Sequence, residues 1–118
     1  HLRLGDSPSL NSDLISQTKI MKTLNKEHYL VITNDVNFAK DWFGDKDLNI
    51  TIQRNSVLKD FNILLNAETL IGPKSTFSWM AAYLSNKIKF YYVNEKFWKD
   101  LKFNKKIKVV TYNHQEHI

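Results

Sequence analysis

The sequence predicts an α/β domain built on a Rossmann-like, mostly parallel sheet flanked by helices. Three observations predict it. Short apolar, β-rich runs alternate with segments whose apolar residues recur at helical spacing, the pattern of repeated βαβ units. The run His28-Tyr29-Leu30-Val31-Ile32-Thr33 is apolar without strict alternation, as a strand covered on both faces must be. After Thr69-Leu70-Ile71, the pair Gly72-Pro73 breaks the chain and Ser75 stands where a helix N-cap belongs.

In order, His1-Leu2-Arg3-Leu4 alternates polar and apolar, then turns at Gly5. It reads as the tail of a strand, with Asp6, Ser7, Pro8 and Ser9 in the following loop. Residues 10–24 carry Leu14, Ile15, Ile20, Met21 and Leu24 at helical spacing, with Asn11 or Ser12 as cap. Asn34 and Asp35 end the strand over 28–33. Asp35 caps a helix over 36–42 that gathers Phe38, Ala39 and Trp42 on one face. A turn at 44–47 leads to a strand over 48–52. Ser56 opens a helix over 57–66, whose apolar members are Leu58, Phe61, Ile63, Leu64 and Leu65. A strand over 68–71 runs into the helix over 76–84, which carries Trp79, Met80, Tyr83 and Leu84 and stops at Ser85-Asn86. Residues 88–93 read as a strand, 95–100 as a short helix or irregular piece, and 107–112 as a last strand. The domain thus spans 1–112, and 113–118 is a tail. Because His1 stands inside what reads as a strand and motif, the expectation is a piece of a longer protein with a partner lobe missing.

With 118 residues the chain suffices for one domain with one core. A hydrophobic share of 42% against 25% charged residues argues for a folded chain over a disordered one. The absence of cysteine excludes a disulfide framework and thiolate metal sites, and no apolar run approaches the roughly 20 residues that span a bilayer. No signal peptide is visible. A cytoplasmic location fits these features. The net charge of +5 admits an anionic ligand, a nucleic acid or an anionic membrane surface. The lysines between 96 and 108 read as a solvated face. Their sharper reading is peripheral contact with anionic lipid headgroups on the inner face of a membrane. Nucleic acid is not an expected partner, because core positions account for the interleaved Tyr91, Tyr92, Phe97, Trp98 and Phe103.

In parallel α/β sheets, ligands sit beyond the carboxyl ends of the strands, near helix N-termini. The loops at 5–11, 33–35 and 72–78 meet that description. The helix start at Ser75 offers free backbone N–H groups and a positive dipole end, crowded by Lys74, Thr76 and Ser78, which suits a phosphate. Arg3, at the end of the first strand, could grip a diphosphate with two parallel hydrogen bonds, or pair with Asp6. His1 could bond a sugar or ribose oxygen, or serve only as a strand residue. Asp60 complements a helix dipole in one reading and accepts from the N–H donors of a guanine edge in the other. No histidine spacing supports a metal, and no Gly-x-Gly-x-x-Gly, Walker loop or nucleophile elbow is present.

His1-Leu2-Arg3-Leu4-Gly5-Asp6 resembles the His-x-Arg-Arg-Gly-Asp motif of α-1,2-fucosyltransferases, glycosyltransferase family 11. Ile32-Thr33-Asn34-Asp35 with Phe38-Ala39-Lys40 and Trp42-Phe43 is similar to the family's second motif. Asp60-Phe61, Leu64-Leu65, Ala67, Leu70-Ile71, Ser75-Thr76-Phe77-Ser78-Trp79 and Ala81-Ala82-Tyr83-Leu84 resemble its third. Leu4 stands where many members carry a second arginine, and Met80 where a second tryptophan is common.

The resemblance implies an inverting transferase of the two-Rossmann-lobe (GT-B) type, of which this chain is the C-terminal, donor-binding lobe. It implies GDP-fucose as donor substrate, no metal or other cofactor, and a glycan acceptor, with α-1,2 transfer to galactose in a bacterial surface glycan. By the same resemblance Arg3 holds the diphosphate and is the catalytic residue. Ser75, Thr76 and Phe77 supply donors to it, and His1 and Asp60 face the nucleoside. The competing expectation is a non-enzymatic α/β domain that binds a nucleotide or anion.

Overall fold

A computed structural model of the chain describes residues 1, 2, 4, 8–73, 75–95 and 106–112. It is α/β throughout, with parallel strands between two layers of helices. Helix α1 spans Pro8–Leu24, β1 Tyr29–Ile32, α2 Val36–Phe43, β2 Ile50–Gln53, α3 Val57–Leu65, β3 Thr69–Ile71, α4 Thr76–Leu84, β4 Phe90–Asn94 and β5 Lys108–Tyr112.

Among the described residues the expected helices and strands from 10 to 94 and the last strand are present, with shifted ends, and the expected first strand is seen as the Leu2–Thr33 bridge. Helix α1 starts at Pro8, two residues before the expected start, so Asn11 and Ser12 lie inside it rather than capping it. Proline suits a first helical position because the N–H it lacks would have no partner there. Asn25 closes α1 in the left-handed region (φ 50°), and its N–H donates to Met21 O at 3.0 Å. The expected caps form elsewhere. Asp35 accepts from Phe38 N–H at 3.1 Å, Ser56 from Lys59 N–H at 3.2 Å, and Ser75 from Phe77 N–H at 3.2 Å. The expectations for 96–100 and for the 113–118 tail lie outside the described residues.

Strands β1 and β2 pair in parallel, and so do β3–β4 and β4–β5. The first two residues stand between the two groups. Leu2 bridges Thr33 in parallel, its N–H donating to Ile32 O at 2.8 Å, and the amino nitrogen of His1 donates to Ile71 O at 2.7 Å. The order across the sheet is therefore β2, β1, the N-terminal residues, β3, β4, β5. From its first residues the chain winds outward through β1 and β2. It then crosses by α3 to the other side and winds outward again through β3, β4 and β5.

Alternation along the strands sends side chains to two cores. Leu2, Leu4 and Val31 pack with Leu14 and Met21 of α1 and with Ala39 and Phe43 of α2. Ile32, Leu70, Tyr91 and Val93 pack with Leu64 of α3 and Ala81 and Ala82 of α4. Trp42 Nε1 donates to Thr18 Oγ1 at 3.0 Å, tying α2 to α1 across the first layer.

Candidate functional site

The winding reverses between the N-terminal residues and β3. In doubly wound sheets the loops that leave such a pair of strands diverge and open a crevice at their carboxyl ends. Here those loops are the one after Leu4 and the one from Gly72 to Ser75.

The second loop is tightly held. Gly72 N–H donates to Tyr92 O at 2.8 Å, and Tyr112 Oη donates to Gly72 O at 2.8 Å. Gln17 Nε2 of α1 donates in turn to Tyr112 Oη and to His1 O, each at 3.3 Å. One amide of the first helix thus links the end of β5, the loop after β3 and the first residue. A Cβ at Gly72 would stand 2.9 Å from Ser78 Oγ and 3.1 Å from Tyr91 Cε1. Only glycine lets the first turn of α4 sit this close to the sheet.

The first strand end is held by Asn34. Its side-chain amide accepts from Leu4 N–H at 2.8 Å and donates to Leu4 O at 2.9 Å, imitating a strand partner where β1 has ended. Arg54 Nη1 donates to Asn34 O at 3.2 Å, which brings an exposed cation to the same edge.

At the start of α4, Ser75 is buried and its Oγ accepts from Phe77 N–H, while Thr76 is exposed. Ser78 does not join the exposed cluster the sequence suggested. It is fully buried, beside Tyr91, and donates to Ser75 O at 3.3 Å. Helical geometry explains the difference, because position 78 shares the inward face with Ala81 and Ala82. Burial pushes the Tyr91 phenol above its ordinary pKa of 10, the neighbouring Ser78 hydroxyl offsetting part of the shift.

The His1 ring lies against Phe77, centroids 5.4 Å apart, and Phe77 meets the edge of Phe61 at 5.3 Å. The ring nitrogen Nδ1 is buried with no hydrogen-bond partner among the described residues.

Asp60 is buried. Its carboxylate accepts from Asn55 N–H at 3.2 and 3.3 Å and from Asn55 Nδ2 at 2.9 Å, securing the entry to α3. The next residue, Phe61, carries the ring that reaches Phe77. Of the six expected site residues, His1, Ser75 and Phe77 come together directly, Thr76 lies beside them on the same turn, and Asp60 is engaged by Asn55. Arg3 lies outside the described residues, as does Lys74. Sequence reasoning did not single out Gln17, Tyr112 or Arg54, and it read Asn34 as a strand end and part of a motif. The sequence carries a signal for Asn34 alone, an asparagine directly after a strand. Among the described residues no group of His, Cys, Asp and Glu could hold a metal ion, and no helix is long and apolar enough to cross a membrane.

The model of glycosyl transferase family 11 matches residues 14–115. The chain belongs to this family. Family 11 is a fucosyltransferase family of glycosyltransferases, with a nucleotide-sugar donor and a glycan acceptor. Comparison with curated proteins and comparison with solved structures each gave no match. Asp60, Ser75, Thr76 and Phe77 fall inside the matched span, whereas His1 and Arg3 precede it.

Proposed function

We propose that this chain is the donor-nucleotide lobe of an inverting family 11 transferase that moves L-fucose from GDP-fucose to a sugar hydroxyl, α-1,2 to galactose in a bacterial surface glycan. The observation that carries this reading is the pairing of His1 with β3. Its nitrogen bonds Ile71 O and its ring lies against Phe77, so the chain leading into Arg3 and the helix start at Ser75 are neighbours. This supports the reading that the chain entering Arg3 and the start of α4 serve one sheet edge.

In this reading the bond between the fucose anomeric carbon and the β-phosphate oxygen breaks through an oxocarbenium-like transition state, while the acceptor hydroxyl oxygen forms the new bond and gives up its proton to a base or to solvent. The leaving GDP gathers negative charge. Arg3 and the N–H groups at the start of α4 neutralise it, with the Thr76 hydroxyl as a further donor and Ser75 fixing the turn. His1 and Asp60 face the nucleoside, and no metal is required. The acceptor-binding lobe belongs to the same, longer chain. The protein works in the cytoplasm, its lysine-rich stretch between 96 and 108 resting against the inner membrane face.

Calorimetry with GDP, GMP and single-stranded RNA tests the binding site. GDP should bind more tightly than GMP, and Arg3→Ala should erase most of that difference without moving the urea midpoint. In a protein carrying both lobes, the same substitution should cost about 3 kcal/mol of transition-state stabilisation, on the order of a hundredfold in rate. Wild-type turnover by Arg3→Ala would refute its role. Tight RNA binding with a steep salt dependence and no GDP binding would favour the non-enzymatic alternative.

A further inference from the structure

The crossover from β2 to α3 passes over the carboxyl ends of the strands. Strand β2 ends at Gln53, whose carbonyl accepts from Thr33 N–H at 3.2 Å. Helix α3 begins at Val57 and packs in one core with Ile32 of β1, Leu70 of β3 and Ala81 and Ala82 of α4. Residues 54–56 therefore lead back from β2 across the end of β1, along the edge where the loop after β3 enters α4.

Arg54 opens that crossover and is exposed. Its Nη1 donates to Asn34 O at 3.2 Å, and the Asn34 side chain brackets the Leu4 backbone. The guanidinium thus rests on the residue that borders the chain leaving Arg3, roughly one strand spacing of 5 Å away. Leu4 brings no charge of its own to this edge, because its side chain is buried among Leu14, Val31 and Ala39. A guanidinium is a planar fork with donors beyond the one that Asn34 O accepts. Among the described residues Arg54 makes no other hydrogen bond and no ion pair. The carboxylates that flank these residues in the chain are engaged elsewhere. Asp35 accepts from Phe38 N–H, and Asp60 accepts from Asn55 N–H and Nδ2. Asn55 thereby keeps Asp60 from neutralising its neighbour, and a positive charge is left at the edge.

We propose that Arg54 is a further binding residue for the donor's diphosphate, reaching it from the β1 side while the start of α4 reaches it from the β3 side. This rests on the donor-lobe reading and adds a residue to that site. A diphosphate carries more negative charge than one helix end offsets, and the planar fork can hold two of its oxygens in parallel. Asn34 is the positioning residue. Its carbonyl fixes one N–H of the fork, and its amide ties that carbonyl to the strand end at Leu4. The phosphates rather than the base are the ligand, because Arg54 is tied to the Leu4 end of the site, whereas Asp60, the residue assigned to the base, is tied to Asn55.

Calorimetry of the 118-residue chain with GDP, GMP and guanosine tests this. Arg54→Ala should weaken GDP roughly fivefold, the upper range for an exposed ion pair, and leave guanosine unchanged. GMP should lose less than GDP. Arg54→Lys keeps the charge and should bind GDP more tightly than Arg54→Ala does. In about 1 M sodium chloride, where charges are screened beyond roughly 3 Å, the gap between parent and Arg54→Ala should close. Lys87→Ala removes the same charge from an exposed residue beyond the C-terminus of α4, at the opposite edge, and should leave GDP binding unchanged. Unchanged GDP affinity in Arg54→Ala, equal losses for GDP and guanosine, no recovery by lysine, or the same loss in Lys87→Ala would overturn the inference and leave the donor-lobe reading standing. A parent chain with no preference for GDP over GMP would overturn both.

Discussion

Replacing Gly72 by alanine tests the packing on which the whole strand-to-helix corner depends. Away from contacts, a glycine-to-alanine change stabilises a protein by about 0.4–1 kcal/mol, because the unfolded chain loses freedom. At Gly72 the new methyl would meet Ser78 Oγ at 2.9 Å, Tyr91 Cε1 at 3.1 Å and Ser78 Cβ at 3.2 Å. Ser78 and Tyr91 are both fully buried, so neither can swing into solvent. Overpacking of this kind costs about 1–3 kcal/mol, which outweighs the entropic gain. The expected net loss is about 1–2 kcal/mol, read as a lower urea midpoint at unchanged slope. The cause can be isolated with Ser78→Ala. It removes the nearest atom, so the double variant should lose less than the sum of the singles, by about 0.5 kcal/mol or more. A Gly72→Ala variant at least as stable as the parent, or strict additivity in the cycle, would refute the argument.

Tyr112→Phe should destabilise the chain by about 1–3 kcal/mol, because it leaves the buried Gly72 carbonyl without this donor and removes one of the two acceptors of Gln17 Nε2; an unchanged urea midpoint would refute the link. Asp60→Asn keeps an acceptor for Asn55 but loses a carboxylate, so it should shift the midpoint little while weakening GDP at least tenfold; unchanged GDP affinity would confine Asp60 to its bonds with Asn55. For Tyr91 the folded pKa lies above the unfolded one, so the folded state holds its proton longer. Its contribution to stability is full below about pH 10 and is lost as pH rises further. Ultraviolet difference titration against Tyr91→Phe should show no phenolate from this residue before the alkaline unfolding transition; ionisation near pH 10 in the folded protein would contradict the burial argument.

Local rules made the element order legible. The caps Asp35, Ser56 and Ser75 bond the N–H groups that side-chain chemistry assigns to them. The β-rich runs pair in parallel because each is separated from the next by a connection long enough to cross the sheet. What local rules could not supply was partnership across long separations. Gln17 and Tyr112 are 95 positions apart, and neither belongs to a motif, yet together they fasten the loop after β3. Ser78 was misjudged for a related reason. Its hydroxyl suggested a ligand, but its place in the helical period turned it toward Tyr91. Asp60 carried two readings from the sequence, and the structure adds a third engagement, with Asn55, that depends on how the chain enters α3.

The location of the candidate site follows from the winding alone, before any side chain is considered. A chain that winds β1 and β2 to one side of its first strand and β3, β4 and β5 to the other must send its first and fourth crossovers apart. The two strands between which this happens here are the N-terminal residues and β3, joined by the His1–Ile71 bond. The loop from β3 enters its helix within five residues of Ile71, so the α4 N-terminus and its dipole lie close to that junction. The Gly72 approach keeps the helix start against the sheet, and Tyr112 and Gln17 tie Gly72 to α1. One reversal of winding thus sets the chain leading into Arg3 beside the start of α4 at the carboxyl ends of the strands.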